Sequence, residues 1–254
     1  MSDETHPVGR PIAELAELTD QLTEHIGERA QQASDRAHQV LEEVKPRLRG
    51  WLHAAVAPVA LAAGLVLVAA SPAGPGRFGS AVFAVSALIL FSVSATLHRG
   101  RWSHGTNLLL RRLDHASIFL LIAGTYTPFA ILLLDGSSRT IVLSVAWGGA
   151  LLGAAFRILW IHAPRWLYTP AYIALGWTSV FFLDDFLVHG GAAVVALMVT
   201  GGLLYTIGGV VYGLRRPDPF PTWFGFHEVF HALTVAAFAT HYAGVLLAGS
   251  VASA

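Results

Sequence analysis

The residues His227-Glu228-Val229-Phe230-His231 place two imidazoles four positions apart at the start of an apolar run that lasts to about Ala248. On a helix, positions i and i+4 share one face about one turn apart, so both rings can reach a single metal ion. A catalytic zinc has three protein ligands and an open water position, so at least one more ligand must come from elsewhere in the chain. The chain has no cysteine, which removes thiolate sites, disulfides and a cysteine nucleophile and leaves nitrogen and oxygen ligands. The same five residues also spell H-E-x-x-H, the pattern in which a metalloprotease uses the glutamate as general base. Glu228 is equally an acid at a helix entrance, where the positive end of the helix dipole favours it.

The elements that must position these groups are set by composition. Of 254 residues, 54% are hydrophobic and only 13% charged, with a mean hydropathy of +0.58. These values describe an all-α polytopic membrane protein rather than a soluble domain. From Leu52 onward the chain runs in apolar stretches of about twenty residues, the length that crosses a hydrocarbon core of about 30 Å. Seven are expected: Leu52–Ala70, Phe78–His98, Leu113–Leu134, Ile141–Trp160, Leu167–Leu183, Ala192–Leu214 and Gly225–Ala248. Turn-forming breaks such as Ser71-Pro72-Ala73-Gly74-Pro75-Gly76 and Arg215-Arg216-Pro217-Asp218-Pro219 separate them. The fifth is the shortest and is interrupted by Pro170 and Gly176.

Two domains are expected, an acidic amino-terminal segment over residues 1–50 and the membrane domain over residues 51–254. Residues 11–45 read as a cytoplasmic amphipathic helix between Pro11 and Pro46. Leu15, Leu18, Leu22, Ile26, Ala30, Ala33, Ala37, Val40 and Val44 form a narrow seam along it. This seam suits either packing against the protein's own body or self-association. Its eight acidic and three basic residues disfavour docking on anionic lipid. The chain begins polar and acidic, so no cleavable signal peptide is expected. A formal net charge of zero carries no nucleic-acid signal.

Lys and Arg in the short connections predict the orientation. Lys45, Arg47, Arg49, Arg99, Arg101, Arg111, Arg112, Arg157, Arg165, Arg215 and Arg216 fall on one side, against Arg77 and Arg139 on the other. This bias predicts a multi-pass protein of the cell membrane with its amino terminus in the cytoplasm and its carboxyl terminus outside. It also brings His98, Asp114, His227 and His231 to one depth near the cytoplasmic face, with Ser94 one turn below His98 on the same helix face. Ionisable groups at membrane depth are costly unless paired or bound to a metal, so this set is the candidate site. His53 lies at the same level and is read chiefly as an interfacial residue, with a reserve contact at the site as the alternative. His115 points about 100° from Asp114 and is assigned to packing or hydrogen bonding, and His241, about 15 Å along the axis from His231, is too far to share its metal.

Ser94-x-x-x-His98, Asp114-His115-Ala116-Ser117-Ile118 running to Ala123-Gly124-Thr125-Tyr126-Thr127-Pro128, and His227-x-x-x-His231 followed by His241-Tyr242 together resemble the bacterial hemolysin III family. That family is related to the progestin and adipoQ receptors and, more widely, to the alkaline ceramidases. The resemblance covers roughly residues 50–249 and implies seven transmembrane helices, a cytoplasmic amino terminus and a buried zinc. It matches the zinc histidines to His98, His227 and His231, and the aspartate and serine motif positions to Asp114 and Ser94. Two functions are compatible with such a site. One is a zinc-dependent hydrolase of lipid-like amides or esters, with Asp114 as proton acceptor, Ser94 holding either the water or Asp114 by a hydrogen bond, and membrane lipid as substrate. The other is a non-enzymatic receptor, hemolysin-like or membrane-homeostasis protein in which zinc braces the bundle. An intramembrane metalloprotease is a minor third reading.

Overall fold

The computed structural model describes residues 10–43 and 46–253, with side chains placed for 17–33 and 46–253. Leu15, Ala37, Val40 and Val44 of the amino-terminal seam, and Lys45 of the basic set, have side chains outside the described residues. The chain divides into two units, residues 1–45 and 46–254. The first carries α1 (Arg10–Glu43), on which Leu18, Leu22 and Ile26 are exposed.

The second unit is a helical bundle: α2 (Trp51–Ala70), α3 (Pro75–Arg99), α4 (His104–Leu133), α5 (Gly136–Leu159), α6 (Arg165–Gly176), a 3-10 segment at Trp177–Phe182, α7 (Leu183–Leu214) and α8 (Phe226–Val251). Helices are dictated by the solvent, because in hydrocarbon each backbone N–H and C=O must be satisfied within its own segment. The lipid-facing sides are correspondingly apolar: Leu65, Leu152 and Leu159 are all well exposed. Six stretches among the described residues are long and apolar enough to cross a membrane, and one of them, Arg165–Leu214, has 50 residues. At 1.5 Å per residue that stretch would measure about 75 Å, more than twice the hydrocarbon core.

The chain turns inside that stretch. Gly191 has φ 76° and ψ 170°, a conformation closed to residues with a Cβ, and it interrupts α7. The two sides then run antiparallel. Thr169 and Ile173 of α6 lie against Gly209, and Trp177 Nε1 donates to Thr206 Oγ1 at 2.9 Å. The stretch therefore supplies two crossings, and the bundle has seven. The weak fifth span is irregular, passing from α-helix into the 3-10 segment after Gly176. Tyr126 of α4 steadies this break, donating its hydroxyl to Gly176 O at 2.6 Å and accepting Ser179 N–H at 2.9 Å.

Helices α2 to α5 pack in sequence, α6 packs on α7 and α7 on α8, and α8 closes the ring against α2, α4 and α3. α4 is the central helix, with Phe119, Ala123, Phe129 and Ala130 all in the core. The first ends of α2 and α8 are tied together before the membrane domain begins. Arg47 N–H donates to Thr222 O at 3.0 Å and Leu48 N–H to Trp223 O at 3.1 Å, while the Arg47 guanidinium lies 4.6 Å over the Trp223 ring.

Candidate metal centre

His98 lies in the last turn of α3, and His227 and His231 occupy the first two turns of α8. The α3–α8 contact brings the three imidazoles together. One ligand nitrogen from each lies within 4.8 Å of the others, and His98 Nε2 is 3.2 Å from His227 Nε2. Zn–N bonds of about 2.0–2.1 Å at tetrahedral angles separate ligand nitrogens by about 3.4 Å, so the trio matches the edge of such a site with little movement. His231 is 2% exposed and its Nδ1 has no hydrogen-bond partner among the described residues. Such a buried polar atom is costly if left bare. The residues present therefore fit a metal ion held by three imidazoles.

The carboxylate expected beside them is also there. Asp114, on the first part of α4, has Oδ2 4.0 Å from His98 Nε2, and the buried Ser94 hydroxyl lies beside its carboxylate. The spacing of Ser94 and His98, one helical turn, puts the imidazole and the hydroxyl on one face of α3. At 4.0 Å Asp114 stands beside the three-nitrogen cluster rather than within it.

Glu228 faces elsewhere. One carboxylate oxygen pairs with Arg49 and the other accepts Gly225 N–H at 2.9 Å, so the side chain closes the start of α8. Its placement follows the helix-entrance reading: an acid at the third helical position satisfies an orphan N–H and complements the dipole. Arg49 reaches it from the segment tied to Thr222 and Trp223, so this ion pair fixes the angle at which α8, and hence His227 and His231, enters the bundle.

His53 departs from its interfacial reading. It is 2% exposed, stacks on His231 with ring centroids 3.8 Å apart and planes 11° from parallel, and meets Phe91 edge-on at 5.1 Å. A position in the first turn of an apolar helix looks interfacial in sequence because nothing there shows that α8 covers it. Its shared depth with His98 and His227 was the only available signal. His115 follows the packing assignment, with Nδ1 2.7 Å from Arg111 O and Nε2 3.4 Å from Tyr212 OH.

A narrow cavity of about 140 Å³ leads away from this cluster. Ser94, Asp114, His227 and His231 border one end, and Tyr126, Ser179 and Val180 the other. Between them the wall is mostly aliphatic and aromatic, including Leu121, Ile122 and Phe230. Val180, on the 3-10 segment, borders the cavity and is 40% exposed.

The profile of haemolysin-III-related proteins matches residues 41–242, most of the chain and all of the histidine cluster. This chain belongs to that family. Among its relatives, the hemolysin-3 homolog of Bacillus subtilis is 31% identical over 165 residues, covering 65% of this chain and 74% of that protein. The hemolysin-3 of Bacillus cereus is 30% identical over 165 residues, 65% of this chain and 72% of its own length. The similarity extends to the adiponectin receptor protein of Drosophila melanogaster, 28% identical over 156 residues, or 54% of this chain and 34% of the receptor. Membership in the haemolysin-III-related family agrees with the three ordered motifs at His98, Asp114 and His227–His231.

Proposed function

We propose that this protein is a zinc-dependent hydrolase of lipid-like amides or esters, acting at the cytoplasmic leaflet of the cell membrane. The observation that carries this reading is the continuity between the histidine cluster and an apolar cavity bordered at the same end by Asp114 and Ser94. A brace needs ligands alone, whereas a hydrolase needs an apolar path for the substrate and a proton acceptor beside the metal.

Three neutral imidazoles without a thiolate suit zinc. Zinc held there supplies Lewis acidity toward a carbonyl oxygen and acidifies water. The chain's own residues provide the rest. The cavity admits the chain of the lipid and presents its carbonyl at the cluster. Asp114 accepts the proton of the attacking water and returns it to the leaving nitrogen or oxygen, and Ser94 holds the carboxylate for that exchange. The eleven-to-two distribution of basic residues supports a position for the cluster on the cytoplasmic side. The protease reading finds no support in the position of Glu228, whose two oxygens are taken by Arg49 and Gly225.

A purely bracing metal has one observation in its favour: α3 and α8 meet over only a short stretch, and the cluster joins them there. Metal analysis of purified protein, followed by turnover assays on a broad panel of lipid amides and esters, separates the two readings. Zinc near one per chain with hydrolysis of at least one class is the expected result. Stoichiometric zinc with no turnover across the panel leaves the brace.

A further inference from the structure

The cavity contains a second polar place, well away from the metal cluster. His241 of α8 and Tyr205 of α7 both border it, with ring centroids 5.6 Å apart. His241 is 8% exposed and therefore more than nine-tenths buried. Its Nδ1 and the Tyr205 hydroxyl are both buried with no hydrogen-bond partner among the described residues. Two such atoms, on neighbouring rings beside one cavity, are costly unless a ligand group meets them. The bundle makes room for the imidazole: a Cβ on Gly201 would run into the His241 ring.

The hydrogen-bonding character of this place follows from the far side of the ring. His241 Nε2 lies 3.1 Å from Met198 O. A carbonyl only accepts, so Nε2 carries the hydrogen, and a neutral imidazole then leaves Nδ1 as a bare acceptor. The Tyr205 hydroxyl donates. A group that donates to Nδ1 and accepts from Tyr205 satisfies both atoms, and an alcohol does so with one oxygen. A ketone, ester or carboxylate oxygen would bring a lone pair against Nδ1.

The spacing along α8 sets where on a ligand that alcohol must lie. His241 is ten residues beyond His231, about 15 Å along the axis. An extended chain covers about 3.5 Å for every three bonds, so this span corresponds to about a dozen bonds. We propose that Tyr205 and His241 form a subsite for a mid-chain hydroxyl, making the preferred ligand a long-chain lipid whose hydroxyl lies about a dozen bonds from the carbonyl at the metal cluster. This rests on the hydrolase reading for the placement of the carbonyl, and on the cavity itself for the hydroxyl.

The test uses the full-length zinc-loaded protein in lipid nanodiscs and three fatty amides of one chain length. One has no hydroxyl, one a hydroxyl beside the carbonyl, and one a hydroxyl about a dozen bonds away. Affinity is read by displacement of a fluorescent fatty amide, and hydrolysis is read separately. The distal-hydroxyl amide should bind about tenfold more tightly than the unsubstituted one, as one well-satisfied pair of hydrogen bonds allows. In Tyr205→Phe the same ratio, taken within the variant, should fall to about one, while zinc content is retained. Equal affinities in the wild type, a preference for the proximal hydroxyl, a ratio that survives Tyr205→Phe, or failure of all three to bind overturns the subsite. Distal preference without turnover removes the hydrolase reading and leaves the subsite. Turnover without distal preference does the reverse.

Discussion

At the scale of single residues, two carboxylates near the cluster have opposite assignments. Asp114 lies 4.0 Å from a cluster nitrogen, whereas Glu228 is bound to Arg49 and Gly225. Asp114→Asn should therefore retain zinc, because the three imidazoles remain, and lose turnover by about 10²–10⁴-fold, the usual contribution of a positioned acid or base. Zinc stoichiometry beside single-turnover assays reads both; loss of zinc in this variant would make Asp114 a ligand. Glu228→Gln should lower thermal stability by on the order of 2 kcal/mol, since it removes a charge-assisted hydrogen bond whose carboxylate is buried. Thermal denaturation measures that cost. Full stability with lost cleavage of peptide substrates would return Glu228 to the role of general base. Asp114 stood out in the sequence because an acid at membrane depth is rare, but the partner of Glu228 lies 179 positions away and no local pattern points to Arg49.

Among elements, the cluster joins the end of α3 to the start of α8, helices that otherwise share little contact. A metal bound only in the folded state stabilises that state by mass action. His98→Ala should accordingly lower both zinc content and the thermal midpoint, and added zinc should raise the midpoint of the wild type by more than that of the variant. Differential scanning fluorimetry with and without a chelator tests this, and zinc content unchanged in His98→Ala would remove the residue from the site. Helix identity and approximate span were legible because each apolar run had the length of a membrane crossing. The division of Arg165–Leu214 into Leu167–Leu183 and Ala192–Leu214 was legible too, but the residue at which the chain turns was not, since Gly191 is one of many glycines and its φ of 76° is a property of the folded chain. Packing of α6 against the far end of α7 is what makes that residue the turn.

For the whole molecule, the asymmetry of basic residues predicts a single orientation. A reporter fused after Ala254 should report the outer side, and one inserted between Arg101 and Leu108 the cytoplasm. Both on one side would mean an even number of crossings, and the irregular segment from Arg165 to Gly191 would be the one that fails to cross. In that predicted orientation the histidine cluster would lie near the cytoplasmic leaflet and the Tyr205–His241 pair deeper in the membrane.

Composition and periodicity by themselves determined the class of fold, the number of crossings and the level at which His98, Asp114, His227 and His231 meet. These are consequences of local physics: hydrocarbon thickness sets run length, and the helical repeat sets which residues share a face. Tertiary structure alone decided which way side chains at one depth point. It buried His53 against His231, gave Glu228 to Arg49, and left Tyr205 and His241 facing one cavity. Those outcomes depend on which helices become neighbours, and contacts between residues far apart in the chain leave no periodic trace in it.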